Sequence, residues 1–120
     1  MSAADFRKEL VKIMPGYSWT IHMVSNPRRI TATGIQSSGF NRLSTLQVTR
    51  IEGDGWGLSY EAKSAPHGTK SPWAHTNRDR TLARALRGLQ DHYERTANTY
   101  HQLAARLQNG RAATDTGEEG

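Results

Sequence analysis

The chain contains no cysteine, so its sequence excludes both a disulfide framework and a metal site built from thiolates. It also lacks any run of the roughly 18 to 20 apolar residues that a membrane-spanning helix needs. The first residues do not have the apolar core of a secretory signal. We therefore expect a soluble, cytoplasmic protein that contacts no membrane.

Recognisable catalytic and metal-binding motifs are missing as well. None of the closely spaced histidine pairs that hold zinc is present, and there is no Walker loop, dinucleotide fingerprint or nucleophile elbow. The carboxylates fall in turns, on the outer face of a predicted helix or in the C-terminal tail, so no acid–base pair is expected in a cleft. The sequence predicts a protein that is not an enzyme and that binds no cofactor or metal.

Length and composition indicate one small domain. A chain of 120 residues suits a single core, and three Trp, four Tyr and two Phe supply large side chains to fill it. We predict one α+β domain over residues 1–110 and a flexible tail over 111–120, which has no apolar anchors. The formal net charge of +5 is concentrated in the middle of the chain. This favours a surface that attracts anions, with ordinary solubility charge as the alternative.

Hydrophobic periodicity predicts a short helix and then four strands. Ser2 and Asp5 form a capping-box pattern at the start of a helix over 3–13, which Pro15-Gly16 ends. Alternating apolar residues then predict half-buried strands. Turns are expected near 25–27, 37–41 and 52–55, and strands over 17–24, 30–35, 43–51 and 56–62.

A long loop and a long helix complete the predicted fold. Residues 64–78 contain two prolines and several small polar residues, which indicates a loop. A helix over 79–109 follows, with Asn77 or Thr76 as its cap. The expected fold class is therefore α+β: a short N-terminal helix, a four-stranded antiparallel sheet, and a long C-terminal helix packed on the sheet and overhanging it.

The long helix carries an apolar stripe with the spacing of a coiled coil. A helix of this length extends about 45 Å, whereas a typical strand spans about 17–20 Å, so the sheet cannot cover all of it. We expect a homodimer in which a second copy covers the rest of this stripe; the alternatives are partial cover by the first helix and a monomer whose long helix kinks or ends early. The expected dimer interface consists of Tyr93, Tyr100, Leu103 and Leu107.

Basic residues crowd the start of the same helix, where the helix dipole already attracts negative charge. Further arginines fall in the predicted turns beside the second strand. Phosphate is the obvious anion for such a surface. The residues expected to contact phosphates are Arg28, Arg29, Arg42, Lys70, His75, Arg78, Arg80, Arg84 and Arg87.

Three functions remain open at the level of the sequence. The first is a non-catalytic nucleic-acid-binding module in which the basic loop and helix start hold phosphates, with aromatic residues of the sheet either stacking on bases or, as we expect for Trp19 and Tyr60, filling the core. The alternative is a protein-interaction or inhibitor module, of the kind encoded by phages and mobile elements, that masks a partner protein. A third is an anion-binding pocket or enzyme site at the 64–78 loop.

Overall fold

The computed structural model describes residues 2–22, 26, 28–53, 55, 57–66 and 73–117. Its elements confirm the short N-terminal helix, the antiparallel sheet and the long C-terminal helix, but the sheet has five strands instead of four. In chain order they are α1 (Ala3–Ile13), β1 (Ser18–His22), β2 (Arg29–Ser38), β3 (Asn41–Gly53), β4 (Gly57–Ala65), β5 (His75–Asp79) and α2 (Leu82–Gly117).

The additional strand, β5, lies in the segment that the sequence analysis assigned to a loop. It pairs antiparallel with β4, from Tyr60 opposite Asp79 to Ser64 opposite His75. Its sequence, HTNRD, contains no apolar residue, so the alternation that reveals a half-buried strand is absent. A strand at the edge of a sheet tolerates such a polar composition.

Because β5 ends at Asp79, α2 begins later than the sequence predicted, at Leu82. The sequence predicted a helix from residue 79 with Asn77 or Thr76 as its cap, but Asn77 and Thr76 belong to β5. Thr81 takes the capping position, where its Oγ1 accepts a hydrogen bond from the Arg84 N–H at 3.2 Å. This bond satisfies one of the free amides at the helix start.

The N-terminal helix matches the prediction at both ends. Ser2 Oγ accepts from the Asp5 N–H at 3.1 Å, and the Asp5 carboxylate accepts from the Ser2 N–H at 3.4 Å. These two bonds form the predicted capping box and hold the pKa of Asp5 below its usual range. The helix buries Phe6 and Leu10.

Each strand of the sheet lies beside its neighbours in sequence, in the order β1-β2-β3-β4-β5. Hairpins join β2 to β3 and β3 to β4 where the sequence predicted turns. Gly39 and Gly55 adopt φ values of 59° and 77° in these turns, a conformation that glycine reaches without steric cost. The register of β2 against β3 shifts between Gln36 and Ser37, which marks a β-bulge.

The core lies on one side of the sheet, which we call the first face. The strand register aligns the buried residues Ala32, Val48 and Ala62 in one row across β2, β3 and β4. Trp19 and Tyr60 are buried in the same core, as the sequence predicted. The helices cover this face with Phe6 and Leu10 of α1 and with Leu82, Ala85, Leu86 and Leu89 of α2.

The chain divides into two compact units, Met1–Leu89 and Gln90–Gly120. The second unit contains the remainder of α2, in which the side chains from 90 to 112 are exposed or half-exposed. The helix continues to Gly117, past the predicted end at Asn109. A glycine such as Gly110 is unfavourable in a helix by only about 1 kcal/mol, so it does not have to end one. Within the described residues, no helix combines the length and the apolar character needed to span a bilayer.

Candidate functional site

Arginines gather at one end of the sheet, which we call the basic end. β2 begins there with Arg29, the β3–β4 hairpin lies there, and β5 ends there at Asp79. Arg28 precedes β2 and Arg80 follows β5, so both lie at this end as well. The sheet topology therefore brings together four arginines that are up to 52 positions apart in the sequence: Arg28, Arg29, Arg78 and Arg80.

Backbone hydrogen bonds fix the position of the two arginines that lead into β2. Asn26 Oδ1 accepts from the Arg28 N–H at 3.0 Å, and the Asn26 carbonyl accepts from the Arg29 N–H at 3.1 Å. The Arg28 carbonyl accepts from the Glu52 N–H at 2.8 Å, which extends the pairing with β3. Asparagine suits this turn because its side chain can bond the backbone two residues on. Both arginines are exposed.

Arg29 and Arg78 lie over the same row of the sheet, on the side opposite the core, which we call the second face. The register aligns Arg29 with Ile51, and Ile51 with Ser59. Ser59 Oγ accepts hydrogen bonds from Arg78 Nε and Nη2 at 3.2 and 3.1 Å. Because neighbouring strands lie about 4.8 Å apart, the Arg29 backbone is about 10 Å from the backbone of Ser59, which holds the Arg78 guanidinium. One extended ligand can contact both arginines.

The start of α2 adds Arg84 and Arg87, both exposed. No acidic residue occupies the first turn of α2, where free backbone amides attract negative charge. Asp79 precedes the helix; its Oδ1 accepts from the Arg80 N–H at 2.6 Å and lies 3.6 Å from Arg84 Nε. An exposed ion pair of this kind contributes only about 0–1 kcal/mol. We call Arg28, Arg29, Arg78, Arg80, Arg84 and Arg87 together the basic cluster.

The described strands contain three carboxylates, and each has a cationic neighbour. Arg50 donates a hydrogen bond to Glu52, which lowers the pKa of the Glu52 carboxyl. Glu61 lies 3.6 Å from the Lys63 ammonium, and Asp79 is held by Arg84. The basic cluster holds six arginines against these three carboxylates of the described strands, and such an excess of positive side chains attracts anions.

Most described side chains of the second face are polar, although the face also includes Ile35, Ile51 and Ala65, and the uncharged polar ones were not predicted as site residues. His22 Nε2 lies 2.7 Å from Thr33 Oγ1, and Thr31 Oγ1 lies 3.1 Å from Thr49 Oγ1. Hydroxyl groups such as these, and the ammonium group of Lys63 on the same face, are of the kind that commonly contacts phosphate and sugar oxygens. These residues could have been found in the sequence as the polar positions that alternate with the apolar ones in each strand. One row crosses all five strands as Thr20, Thr33, Gln47, Lys63 and Thr76.

The aromatic residues of the strands do not lie on this surface. Trp19 and Tyr60 are only 6% and 4% exposed, in the core on the first face. The hydroxyl of Tyr17 bonds Ser44 Oγ at 2.9 Å, and its ring lies beside Trp19. Trp56 lies outside the described residues. Among the described strand residues of the second face, His22 carries the only aromatic ring, so this face offers contacts to phosphates more than stacking on bases.

Two of the expected site residues are not brought to the basic end, and a third lies outside the described residues. Arg42 lies near the start of β3, nine residues and about 30 Å along the strand from Ile51. His75 begins β5 and lies four residues, or about 13 Å, from the end at Asp79. Lys70 is outside the described residues. Arg42 was grouped with Arg28 and Arg29 because both segments flank β2, but they flank opposite ends of it.

A separate apolar surface lies on α2 in the second unit. Tyr93, Tyr100, Leu103 and Leu107 are 39%, 67%, 49% and 73% exposed. Their spacing of seven, three and four residues places them along one side of the helix. These four residues, which we call the seam, are the ones that the sequence assigned to a dimer interface.

Neither a metal site in the described residues nor a known relative identifies the function. In the part of the chain that the structure describes, no three His, Asp or Glu side chains are arranged to hold a metal ion. No family model, curated protein or solved structure matches the chain. The basic cluster and the seam are therefore the candidate functional surfaces.

Proposed function

We propose that this chain is a small, non-catalytic nucleic-acid-binding module whose basic cluster holds phosphates. The observation that carries the proposal is the placement of Arg29 and Arg78 over one row of the second face, with the Arg29 backbone about 10 Å from the Ser59 that holds the Arg78 guanidinium. Arg80, Arg84 and Arg87 follow Arg78 in the sequence, before and within the first turns of α2. A nucleic-acid ligand also fits the cytoplasmic location that we expect.

The proposed contacts are to the backbone of the nucleic acid, not to its bases. Guanidinium groups bind phosphate oxygens with two parallel hydrogen bonds, which suits arginine better than lysine for this role. The described second face offers hydroxyl groups in place of stacking rings. We therefore expect little sequence preference and tighter binding to a duplex than to a single strand, because a duplex carries more charge per unit length.

We further propose that the module acts as a homodimer joined through the seam. Two large aromatic and two leucine side chains along one side of a helix form a surface whose contact with water is unfavourable, so burial against a second copy lowers the free energy. A dimer also presents two basic clusters to one nucleic acid, so the second contact becomes intramolecular and the overall affinity rises.

A module that masks a partner protein is the second candidate, and a different surface favours it. Phe40 is completely exposed at the tip of the β2–β3 hairpin, and Leu43 is 51% exposed beside it. Exposed apolar side chains of this kind are common at protein contacts. In that case the hairpin tip would bind the partner, and the basic cluster would have no measurable affinity for nucleic acid.

Titration of labelled oligonucleotides separates the two candidates. Fluorescence anisotropy is followed as the full chain is added to a duplex and to a single strand of mixed sequence, at 50 and 200 mM salt. We expect binding at the lower salt concentration that weakens by about a thousandfold at the higher one if six phosphates are contacted. Absence of binding to both oligonucleotides at 50 mM salt would exclude the nucleic-acid module.

A further inference from the structure

We propose that the seam pairs with the seam of a second copy of this chain in an antiparallel orientation. This inference rests on the proposed homodimer and adds the direction and register of the two helices. It follows from the side chains that flank the seam. Helix direction matters because it decides which flanking residues of the two copies meet.

The heptad positions of α2 follow from the spacing of the seam. Tyr93, Tyr100 and Leu107 occupy a positions, and Thr96, Leu103 and Gly110 occupy d positions. The residue before each a position is a g position, which includes Thr99 and Arg106. The residue after each d position is an e position, which includes Ala97, Ala104 and Arg111.

A parallel, in-register pair places like charges together. In that arrangement each g residue faces the e residue five positions further along the other helix. Arg106 then faces Arg111 of the second copy, and the contact occurs twice by symmetry. Both arginines are exposed in the single chain. Like charges in such flanking contacts are destabilising, and the parallel pair would also stack glycine on glycine at position 110.

An antiparallel pair removes these conflicts. The g residues then face g residues and the e residues face e residues, so Arg106 lies beside the neutral Thr99 of the second copy. Arg111 lies beside Gln90, which is also neutral. Ala97 faces Ala104, and two methyl groups at this point allow the helices to approach closely. No like-charged contact remains between these flanking residues.

The exposed residues also select one register. Each core layer of an antiparallel pair joins an a residue to a d residue of the other helix. With Tyr100 opposite Leu103, the next layers join Leu107 to Thr96 and Tyr93 to Gly110, so a bulky side chain always meets a smaller one. A shift by one heptad toward the N-terminus would need Leu89, which is already buried in the first unit. A shift by one heptad toward the C-terminus would place the Arg106 side chains of the two copies opposite each other. The chosen register covers the seam along about 26 Å of helix.

Single-cysteine variants of the full chain test the direction. Because the natural chain has no cysteine, Thr96→Cys and Leu107→Cys each carry one thiol. Sedimentation equilibrium first establishes the mass of each variant. Each is then treated with a short bifunctional maleimide, alone and in an equimolar mixture. In the antiparallel pair, Thr96 lies opposite Leu107, whereas identical positions lie eleven residues, or about 16 Å, apart along the axis.

We expect covalent dimers in the mixture and few or none with either variant alone. Efficient cross-linking of Thr96→Cys to itself would show a parallel pair and overturn the inference. A dimer that cross-links in neither case would show that another surface holds the copies together, which also overturns it. Monomeric protein at high micromolar concentration would refute the homodimer itself, and the sedimentation measurement identifies that outcome separately.

Reversing the charge of Arg106, which flanks the seam, tests the helix direction independently through the dimer dissociation constant. Arg106→Glu would create an attractive contact with Arg111 in a parallel pair and would tighten the dimer. In the antiparallel pair the new carboxylate faces Thr99, so we expect the dimer dissociation constant to stay within about twofold of the natural value. A dimer that becomes clearly tighter would contradict the antiparallel arrangement.

Discussion

Gly88 of α2 lies against the side chain of Asn77 on β5 without room for a methyl group between them. A Cβ placed on Gly88 would lie 2.0 Å from Asn77 Nδ2 and 2.5 Å from its Cγ. The same Nδ2 donates a hydrogen bond to the Ala85 carbonyl at 2.9 Å. This close approach joins the first turns of α2 to the edge strand that completes the sheet.

We predict that Gly88→Ala destabilises the protein, although alanine is the better helix former by about 1 kcal/mol. The new methyl must displace Asn77 and break its bond to Ala85, for a net cost of about 1–3 kcal/mol. Urea denaturation followed by circular dichroism measures the change. Asn98→Ala is the control, because this exposed position of α2 lies away from the seam and alanine is the better helix former; it should be neutral or stabilising. Equal effects of the two variants would refute the contact.

A second close approach lies between Gly34 and Trp19 on the first face. A Cβ on Gly34 would lie 2.8 Å from Trp19 Cζ3, and the indole is held by a bond from its N–H to the Met14 carbonyl at 3.1 Å. We predict that Gly34→Ala lowers stability by about 1–3 kcal/mol, since a core ring must move. Thermal denaturation measures it. Thr33→Ser, on the opposite face of the same strand, should have a much smaller effect.

The capping box of α1 predicts a pH dependence of stability. The bonds from Ser2 lower the pKa of Asp5 in the folded state, so the ionised carboxylate stabilises the fold at neutral pH. That contribution is lost as the pH falls through the folded pKa. Asp5→Asn should therefore melt below the natural protein at pH 7, and the difference should vanish in acid. Asp91→Asn, in the middle of α2, serves as the control. A difference that persists below pH 2 would contradict the assignment.

The seam predicts the effect of a charge at its centre. Leu103→Asp should convert a dimer into a monomer, because it places a carboxylate in a dry interface that cannot pair it. Sedimentation equilibrium should show a mass near that of the dimer for the natural chain and near 13.4 kDa for the variant. Ala105→Asp, on the opposite side of the same helix, should leave the mass unchanged. A natural chain that sediments as a monomer would remove the dimer from the proposal.

Local patterns in the sequence were sufficient to predict α1, the two central hairpins and the apolar spacing of the seam. Each is determined by residues close together in the chain, such as Ser2 with Asp5 or the glycines of a turn. β5 could not be recognised because its stability comes from hydrogen bonds to β4 and not from apolar alternation. The helix cap at Thr81 depended on β5 and was missed for the same reason.

The candidate site was only partly accessible from the sequence. The arginines near the start of α2 were visible as a cluster, but the alignment of Arg29 with Arg78 depends on the register of four strands. Arg42 shows the converse case, because closeness in sequence to β2 did not bring it to the basic end. The polar second face was not predicted as a site, because the strands were assigned from their apolar residues alone.

The salt dependence of duplex binding tests the central claim most directly when it is measured for two variants of equal charge. One variant replaces Arg29, Arg80 and Arg87 by Gln; the other replaces Lys8, Lys12 and Arg95. Each phosphate contact contributes about 0.9 to the slope of log affinity against log salt concentration.

We predict that the slope falls by about 2.7 in the first variant, if all three arginines contact phosphates, and stays close to the natural value in the second. Circular dichroism and thermal denaturation confirm that both variants are folded. Equal slopes in the two variants, or a natural chain that does not bind the duplex, would contradict the claim that the basic cluster is the phosphate-binding surface.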